Sequence, residues 1–213
     1  MNGLKLVLDV DGVVIRGRPS DGLPWYATLR QDLGLDPGVL TERFFNTNFQ
    51  AALRGKADMR RLLDELFASI GARVSVDTFV DYWFRHDAGL NHGLIDFTQG
   101  LRERSGLQCY LATNQEQYRT RYIWETLGLE LDQRFDGIVS SSNVGACKPE
   151  PEFFKSAQQL LELREDDHIL FVDDRDAFVL AAQQHGWEAE LFRNNEDLIV
   201  TIENWIETHC SGI

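Results

Sequence analysis

Asp9 and Asp11 stand at the end of an apolar run, residues 4–10, and are followed at once by Gly12. Further along, Thr113-Asn114 follows the apolar run 107–112, Lys148 sits in Cys147-Lys148-Pro149, and Asp173-Asp174 closes the run 169–172. These polar groups come directly after strand-like runs, where a structural strand end needs only one turn-former. In doubly wound sheets ligands bind outside the carboxyl ends of the strands, so the four segments would meet in one crevice there. Four carboxylates so placed repel at neutral pH unless a cation offsets them. A hard oxygen site of this kind suits Mg²⁺, which binds through few carboxylates and keeps positions for water and phosphate. Lys148 and the Thr113 hydroxyl would then hold phosphate oxygens. A carboxylate attacking a phosphoryl group needs such charge compensation, because both partners are anionic. The second aspartate of the first pair can reach past the first, to protonate a leaving oxygen and later deprotonate water. Taken singly, each aspartate pair also reads as a turn or helix cap, and Lys148 as a solvated charge. Their shared placement after apolar runs favours a common site.

The elements that must position these residues are an α/β set. Short apolar runs at 4–10, 107–112, 137–140, 169–172 and 189–192 predict strands, and helical spacing at 116–127, 151–163 and 177–185 lies between them. From residue 94 onward strand and helix alternate, which predicts a Rossmann-like, doubly wound parallel sheet covered on both faces. Residues 17–92 differ. Spacing there predicts helices at 23–33, 40–53, 59–70 and 78–84, with starts at Asp36-Pro37 and Ser75 and ends at Gly34 and Gly71. The expected division is therefore a core of residues 1–16 and 93–213 with an all-helical insertion at 17–92.

Composition narrows the partners. The 213 residues carry 21 Lys plus Arg against 34 Asp plus Glu, a formal charge of −13, which argues against a nucleic-acid surface but allows a small anionic substrate at a local site. No apolar run reaches membrane-spanning length, and acidic residues come too early for a secretory signal, so a cytoplasmic protein without a membrane partner is expected. Cys109, Cys147 and Cys210 have neither disulfide-framework nor zinc spacing.

Asp9-Val10-Asp11-Gly12-Val13, Thr113-Asn114, Lys148-Pro149 and Phe171-Val172-Asp173-Asp174 resemble the four motifs of the haloacid dehalogenase superfamily, in the family's order. The resemblance covers essentially the whole chain, including the helical insertion, which is similar to the cap of the first cap class. It implies Mg²⁺ and an aspartyl-phosphate intermediate. By motif, Asp9 would be the nucleophile and a metal ligand. Asp11 would be the general acid/base and give its backbone carbonyl to the metal. Thr113, the Asn114 backbone and Lys148 would bind phosphate, and Asp174 would complete the metal site with Asp173 close behind. Dehalogenase members lack the second aspartate, so Asp11 favours a phosphatase acting on a small phosphorylated metabolite, as a monomer or homodimer. Phosphomutase activity, or non-catalytic phosphometabolite binding on the same fold, are the alternatives. A phosphonatase would need a cap lysine, and Lys56 is the only one. The last motif departs from close relatives by continuing Arg175-Asp176-Ala177-Phe178.

In the insertion, Leu53-Arg54-Gly55-Lys56-Ala57-Asp58 resembles a substrate-specificity loop, which would bring Arg54 and Lys56 to the distal part of the substrate; an ordinary helix–helix turn is the alternative. Trp25, Phe44, Phe45 and Phe49 read as core or as an entrance lining. His86 and His92 match no helical ligand pair, and Cys147 reads as a bystander beside Lys148.

Overall fold

The structure, a computed structural model, describes residues 3–129, 134–164 and 166–210, without the Cys210 side chain, so the reading of that cysteine lies outside the described residues. Five parallel strands form one sheet: β1 (Leu4–Leu8), β2 (Gln108–Thr113), β3 (Gly137–Ser140), β4 (His168–Asp173) and β5 (Glu188–Leu191). Their spatial order is β3-β2-β1-β4-β5. Leu8 pairs with Leu111 on one side and Val172 on the other. The first strand stops at Leu8 rather than at residue 10 because the chain folds back: the amides of Val14 and Ile15 both donate to the Val10 carbonyl, at 2.9 and 2.7 Å.

Alternation along the strands sorts side chains onto two covered faces. Leu6, Leu8, Leu111, Leu170 and Val172 join one apolar cluster, and Val7, Ala112, Val139 and Phe171 join another on the opposite face. Each of the buried Leu, Val and Phe side chains contributes about 1.5–3 kcal/mol. Central strands of a two-sided sheet must therefore read as continuous apolar runs.

Between β1 and β2 lie α1 (Leu29–Leu33), α2 (Pro37–Leu40), α3 (Phe49–Leu53), α4 (Met59–Ile70) and α5 (Val76–His86), and then α6 (His92–Ser105), which leads into β2. The predicted boundaries at the caps hold. Asp36 accepts from the Gly38 amide with Pro37 at the first helical position, Ser75 accepts from the Thr78 amide, and Gly34 and Gly71 adopt left-handed C-caps. Two expected helices are shorter. The stretch 23–33 is helical only at Leu29–Leu33, because turns around Gly22 and Pro24 occupy its start. The stretch 40–53 breaks into α2, a π-helical turn at Thr41–Phe45, and α3. Asn46-Thr47-Asn48 makes the break, with the Thr47 hydroxyl competing for the Phe44 carbonyl at 3.4 Å. The inserted helices bury Leu40, Phe44, Leu63, Phe67, Phe79 and Trp83 in a third apolar cluster.

After β2 come α7 (Gln117–Arg121), continued by a π-helical turn at Tyr122–Thr126, then α8 (Ser141–Val144), α9 (Pro151–Leu160), α10 (Asp176–Gln184) and α11 (Asn195–Cys210). The sequence pattern does not single out α6 or α11. In α6 the apolar face is interrupted by Thr98, fully buried with its hydroxyl donating to the Ile95 carbonyl. Among the described residues no helix is long and apolar enough to cross a membrane. Two chain segments join the insertion to the sheet, and they pair with each other: Arg16 donates to the Gly89 carbonyl at 2.7 Å, and the Gly89 amide donates to Gly17 at 2.9 Å.

Candidate active site

In the order β3-β2-β1-β4-β5, the connections from β1 and from β4 run toward opposite edges, so the crevice at their carboxyl ends is the topological switch point. Asp9 follows β1 there, its amide bonded to the Val172 carbonyl at 2.8 Å. Thr113 ends β2 and Asp173 ends β4. The motif residues of the core thus converge where the sequence pattern predicts.

Lys148 is the hub. Its ammonium, 2% exposed with the whole residue, lies 2.7 Å from Asp9 Oδ1 and 2.6 Å from Asp173 Oδ2, and donates to the Ala112 carbonyl at 2.9 Å. Three donors meet three acceptors, which is what a buried ammonium requires. Burial alone would lower the lysine pKa, but the Asp9 and Asp173 charges outweigh it and hold the group above its ordinary value. The rings of Phe171 and Phe178 lie 5.4 and 5.3 Å from the ammonium, and the Arg175 guanidinium stacks 5.2 Å over Phe178. The departure in the last motif therefore has a physical use: Phe178 shields Lys148 and Arg175 covers Phe178.

Burial pushes the Asp9 carboxyl up to about 7, with Asp173 and Asp11 adding to the rise and Lys148 opposing it. Asp11 is held from the side by Gln115, whose side-chain amide donates to Asp11 Oδ2. Gln115 is fixed in turn, its backbone carbonyl accepting from the Ser142 amide at 3.2 Å and the Ser141 hydroxyl at 3.3 Å. Asp174 is exposed, and its pKa is raised by partial burial and by Asp173. Gly12, at φ +86°, lets the backbone pass Asp174: a Cβ there would meet Asp174 Oδ2 at 2.2 Å. Thr113 is fully buried, and its hydroxyl oxygen has no hydrogen-bond partner, an orphaned polar atom at the expected phosphate position. The Asn114 side chain brackets the Lys148 backbone, and the residue lines the cavity above.

A cavity of about 610 Å³ opens over this cluster. Asp9, Asp11, Lys148 and Asp174 line its base, and Phe45, Phe49, Gln50, Leu53 and Arg54 of the insertion line its roof. Arg54 forms an ion pair with Glu150 of the core and donates to the Gln50 carbonyl at 3.0 Å. Lys56 lies in the exposed turn after α3, and it is not among the cavity-lining residues. Gly55 between them has φ +64°, and a Cβ there would sit 2.6 Å from the Ser142 carbonyl oxygen, so insertion and core touch backbone to backbone. Of the four aromatic candidates, Phe45 and Phe49 line the cavity, whereas Phe44 is fully buried and Trp25 packs against Phe45, Phe79 and Trp83. His86 stacks on Tyr82 and contacts the Tyr82 carbonyl at 2.8 Å. His92 lines a separate cavity of about 850 Å³ between the two joining segments, which also reaches Asp11. Cys147 is buried among the inserted helices' apolar side chains, and burial raises its thiol pKa, the opposite of activation.

Sequence reasoning misses Gln115 and Arg119. Arg119 is fully buried in α7, donates to the Phe84 carbonyl at 3.1 Å and to the Asp87 carbonyl, and thereby ties the end of α5 to the core. Only its neighbourhood in the motif segment Thr113-Asn114 hints at either residue.

Carboxylate oxygens of Asp9, Asp173 and Asp174 lie within 4.8 Å of one another. This oxygen-only donor set fits a hard divalent cation such as Mg²⁺. Asp173 already spends Oδ2 on Lys148 and Oδ1 on the Arg175 amide, at 2.6 and 3.0 Å. Asp9 and Asp174 face the cavity and Asp173 does not. A cation beside Asp9 would also offset the burial that raises its pKa.

Proteins of known structure share this fold. The family model described as haloacid dehalogenase-like hydrolase matches residues 6–186. A HAD-family enzyme from Bacteroides thetaiotaomicron superposes with a TM-score of 0.74 at 18% identity, covering 92% of this chain and 97% of that one. The same enzyme has been solved in complex with magnesium and inorganic phosphate (TM-score 0.67, 17% identity, 90% and 95% coverage). A HAD-like family hydrolase from Porphyromonas gingivalis gives a TM-score of 0.74 at 19% identity, with 97% and 98% coverage. At these identities the likeness shows the fold. The bifunctional epoxide hydrolase 2 of Rattus norvegicus is 24% identical over 115 residues, 54% of this chain and 21% of that protein, so the match spans about a fifth of the curated relative.

Proposed function

Because the chain belongs to the haloacid dehalogenase-like hydrolases, we propose that it is a Mg²⁺-dependent phosphatase that hydrolyses a small phosphomonoester through a phosphorylated Asp9. The observation that carries this reading is Asp11. A second carboxyl lines the same cavity as Asp9 and is oriented by Gln115, which a proton-transfer role requires and dehalogenation would not.

In the first step an Asp9 carboxylate oxygen bonds to phosphorus while the bond from phosphorus to the leaving oxygen breaks. Asp11 delivers its proton to that oxygen, so an alcohol departs. In the second step a water attacks phosphorus, its proton passes to Asp11, and the bond to Asp9 breaks to release inorganic phosphate. Lys148, the Thr113 hydroxyl and the Asn114 backbone hold the non-reacting phosphate oxygens and stabilise their charge. A Mg²⁺ ion held by Asp9, the Asp11 carbonyl and Asp174 would supply further charge compensation and keep Asp9 ionised. That a structural relative has been solved with magnesium and inorganic phosphate supports Mg²⁺ and a phosphate-bearing substrate. Residues 17–92 act as the cap, which excludes bulk water and selects the leaving group.

The test is release of free phosphate from a generic aryl phosphate and a broad phosphometabolite panel with Mg²⁺. Turnover lost in Asp9→Asn is expected. No release from any member by folded, Mg²⁺-loaded protein overturns the reading, and conversion of a sugar 1-phosphate to its 6-phosphate without free phosphate selects a phosphomutase instead.

A further inference from the structure

His168, Glu188 and His209 each place one donor atom so that all lie within 4.8 Å of one another, at the edge of the sheet away from the catalytic crevice. The juxtaposition follows from register and helix periodicity. His168 and Leu170 alternate onto one face of β4, and Leu170 pairs with Glu188, the first residue of β5. His168 and Glu188 are therefore diagonal neighbours on that face, close enough for long side chains to meet. The helix covering the face is α11, whose inward stripe runs Leu198, Ile202, Trp205. The next position on the stripe, four residues on, is His209, where an apolar residue would be the ordinary choice.

The details point to a ligand rather than to packing. The two imidazole rings overlie each other with centroids 4.0 Å apart and planes at 21°. His209 Nε2 is 2.9 Å from Glu188 Oε1, yet this buried atom has no hydrogen-bond partner of acceptable geometry. Glu188 Oε1 accepts a hydrogen bond from the Trp205 indole at 2.9 Å, an orienting contact of the kind that steadies ligating carboxylates. The Glu188 side chain is 51% exposed, which leaves an approach from solvent.

We propose that His168, Glu188 and His209 form a second metal site, selective for a borderline transition cation such as Zn²⁺. Two imidazoles and one carboxylate match a zinc donor set with water in the fourth position, whereas the oxygen-only catalytic cluster suits Mg²⁺. With metal–ligand bonds of about 2.0–2.2 Å, tetrahedral donors stand about 3.4 Å apart, a spacing within the 4.8 Å that already contains the three donor atoms. A bound ion bridges β4, β5 and α11.

The test is calorimetric titration of Zn²⁺ into the full chain with Mg²⁺ in excess, in wild type and in an Asp9→Asn/Asp174→Asn background. One equivalent is expected in both. His168→Ala and His209→Ala should each weaken binding about tenfold or more, and the near-isosteric Glu188→Gln, which keeps an acceptor for Trp205, should weaken it as well. Co²⁺ in place of Zn²⁺ should give four-coordinate visible absorption that His209→Ala abolishes, with an unchanged far-ultraviolet circular dichroism spectrum. No binding in Mg²⁺-saturated wild type, or affinity unchanged when both histidines are replaced, overturns the proposal.

Discussion

The side-chain amide of Asn114 and the backbone of Lys148 hold each other through two reciprocal hydrogen bonds. The Lys148 amide donates to Asn114 Oδ1 at 2.8 Å, and Asn114 Nδ2 donates to the Lys148 carbonyl at 2.9 Å. Strand end and loop are locked together as a pair of strands would be, at the residue whose ammonium bridges two aspartates. Asn114→Asp keeps the acceptor, removes the donor and adds a charge. A displacement of about 1 Å at a reacting group lowers turnover by roughly a hundredfold. Phosphate-release kinetics on Asn114→Asp should therefore show kcat reduced about 10- to 100-fold; an unchanged kcat would show that the bracket has no part in placing Lys148.

Removing Lys148 should damage folding as well as catalysis. Lys148→Ala leaves Asp9 and Asp173 facing each other in a buried site without their shared cation. Breaking a buried ion pair from one side costs about 3–5 kcal/mol. Urea denaturation without metal should register a loss of that order, and Lys148→Ala/Asp173→Asn should regain part of it. A loss below about 1 kcal/mol in the single variant would contradict the hub role.

Gln115→Leu tests the orientation of Asp11 without touching the nucleophile. It removes the donor to Asp11 Oδ2 while keeping similar bulk. The expectation is a fall in kcat of about tenfold or more, up to the roughly 10²–10⁴-fold of losing an acid–base group outright, together with a shift in the pH–rate profile. A changed KM with an intact profile would assign Gln115 to substrate binding instead.

The metal-free protein should lose stability as pH rises from about 4 toward 7. Burial raises Asp9 to about 7 and Asp87 to about 6, Asp11 adding to both and the neighbouring cations Lys148 and Arg119 opposing. Between its unfolded and folded pKa a raised acid binds more protons when folded, so unfolding gains ground with each step in pH. Lys148, raised above its usual value, contributes stability below about 10.5 and loses it only at higher pH, outside this window. Thermal melts in chelator should show the slope, and Asp87→Asn should flatten it by up to about 3 kcal/mol across the interval. Mg²⁺ should raise the melting temperature more at pH 8 than at pH 5. A flat profile without metal would contradict the burial argument.

The two cations of the inserted loop should behave differently. Arg54 lines the cavity and pairs with Glu150, both partly exposed, so Arg54→Ala should cost under about 1 kcal/mol in stability while altering relative kcat/KM across a substrate panel. Lys56→Ala should leave those relative rates unchanged. The opposite pattern would mean that the loop moves to bring Lys56 over the substrate.

These expectations also mark where one-dimensional reading succeeds. Asp9, Thr113 and Asp173 are legible because a polar residue after a continuous apolar run announces a strand's carboxyl end, and a parallel sheet collects such ends in one crevice, whereas Lys148 lies in the loop after α8 and is legible only through the Lys148-Pro149 motif. Asp36, Ser75, Gly34 and Gly71 are legible because helix caps are local. Arg119 and His209 are not: an arginine or histidine on a helix reads as solvated until its tertiary neighbours are known. The break at Asn46-Thr47-Asn48 escapes the periodicity because Phe44, Phe45 and Phe49 keep an apolar rhythm across it. Lys56 illustrates the converse, since sequence proximity to Arg54 does not carry it into the cavity.

Where the inserted loop comes down on the core, beside the Arg54–Glu150 pair, two main chains also meet, at Gly55 and Ser142. Side chains can rotate aside to let a closure tighten, and peptide backbones cannot. The gap between the aromatic roof and the aspartates below thus has a hard stop, gauged outside the cavity itself. Narrower leaving groups must be selected by bulk added within the cavity, at positions such as Gln50, and any side chain grafted onto Gly55 acts as a wedge that holds the enzyme ajar.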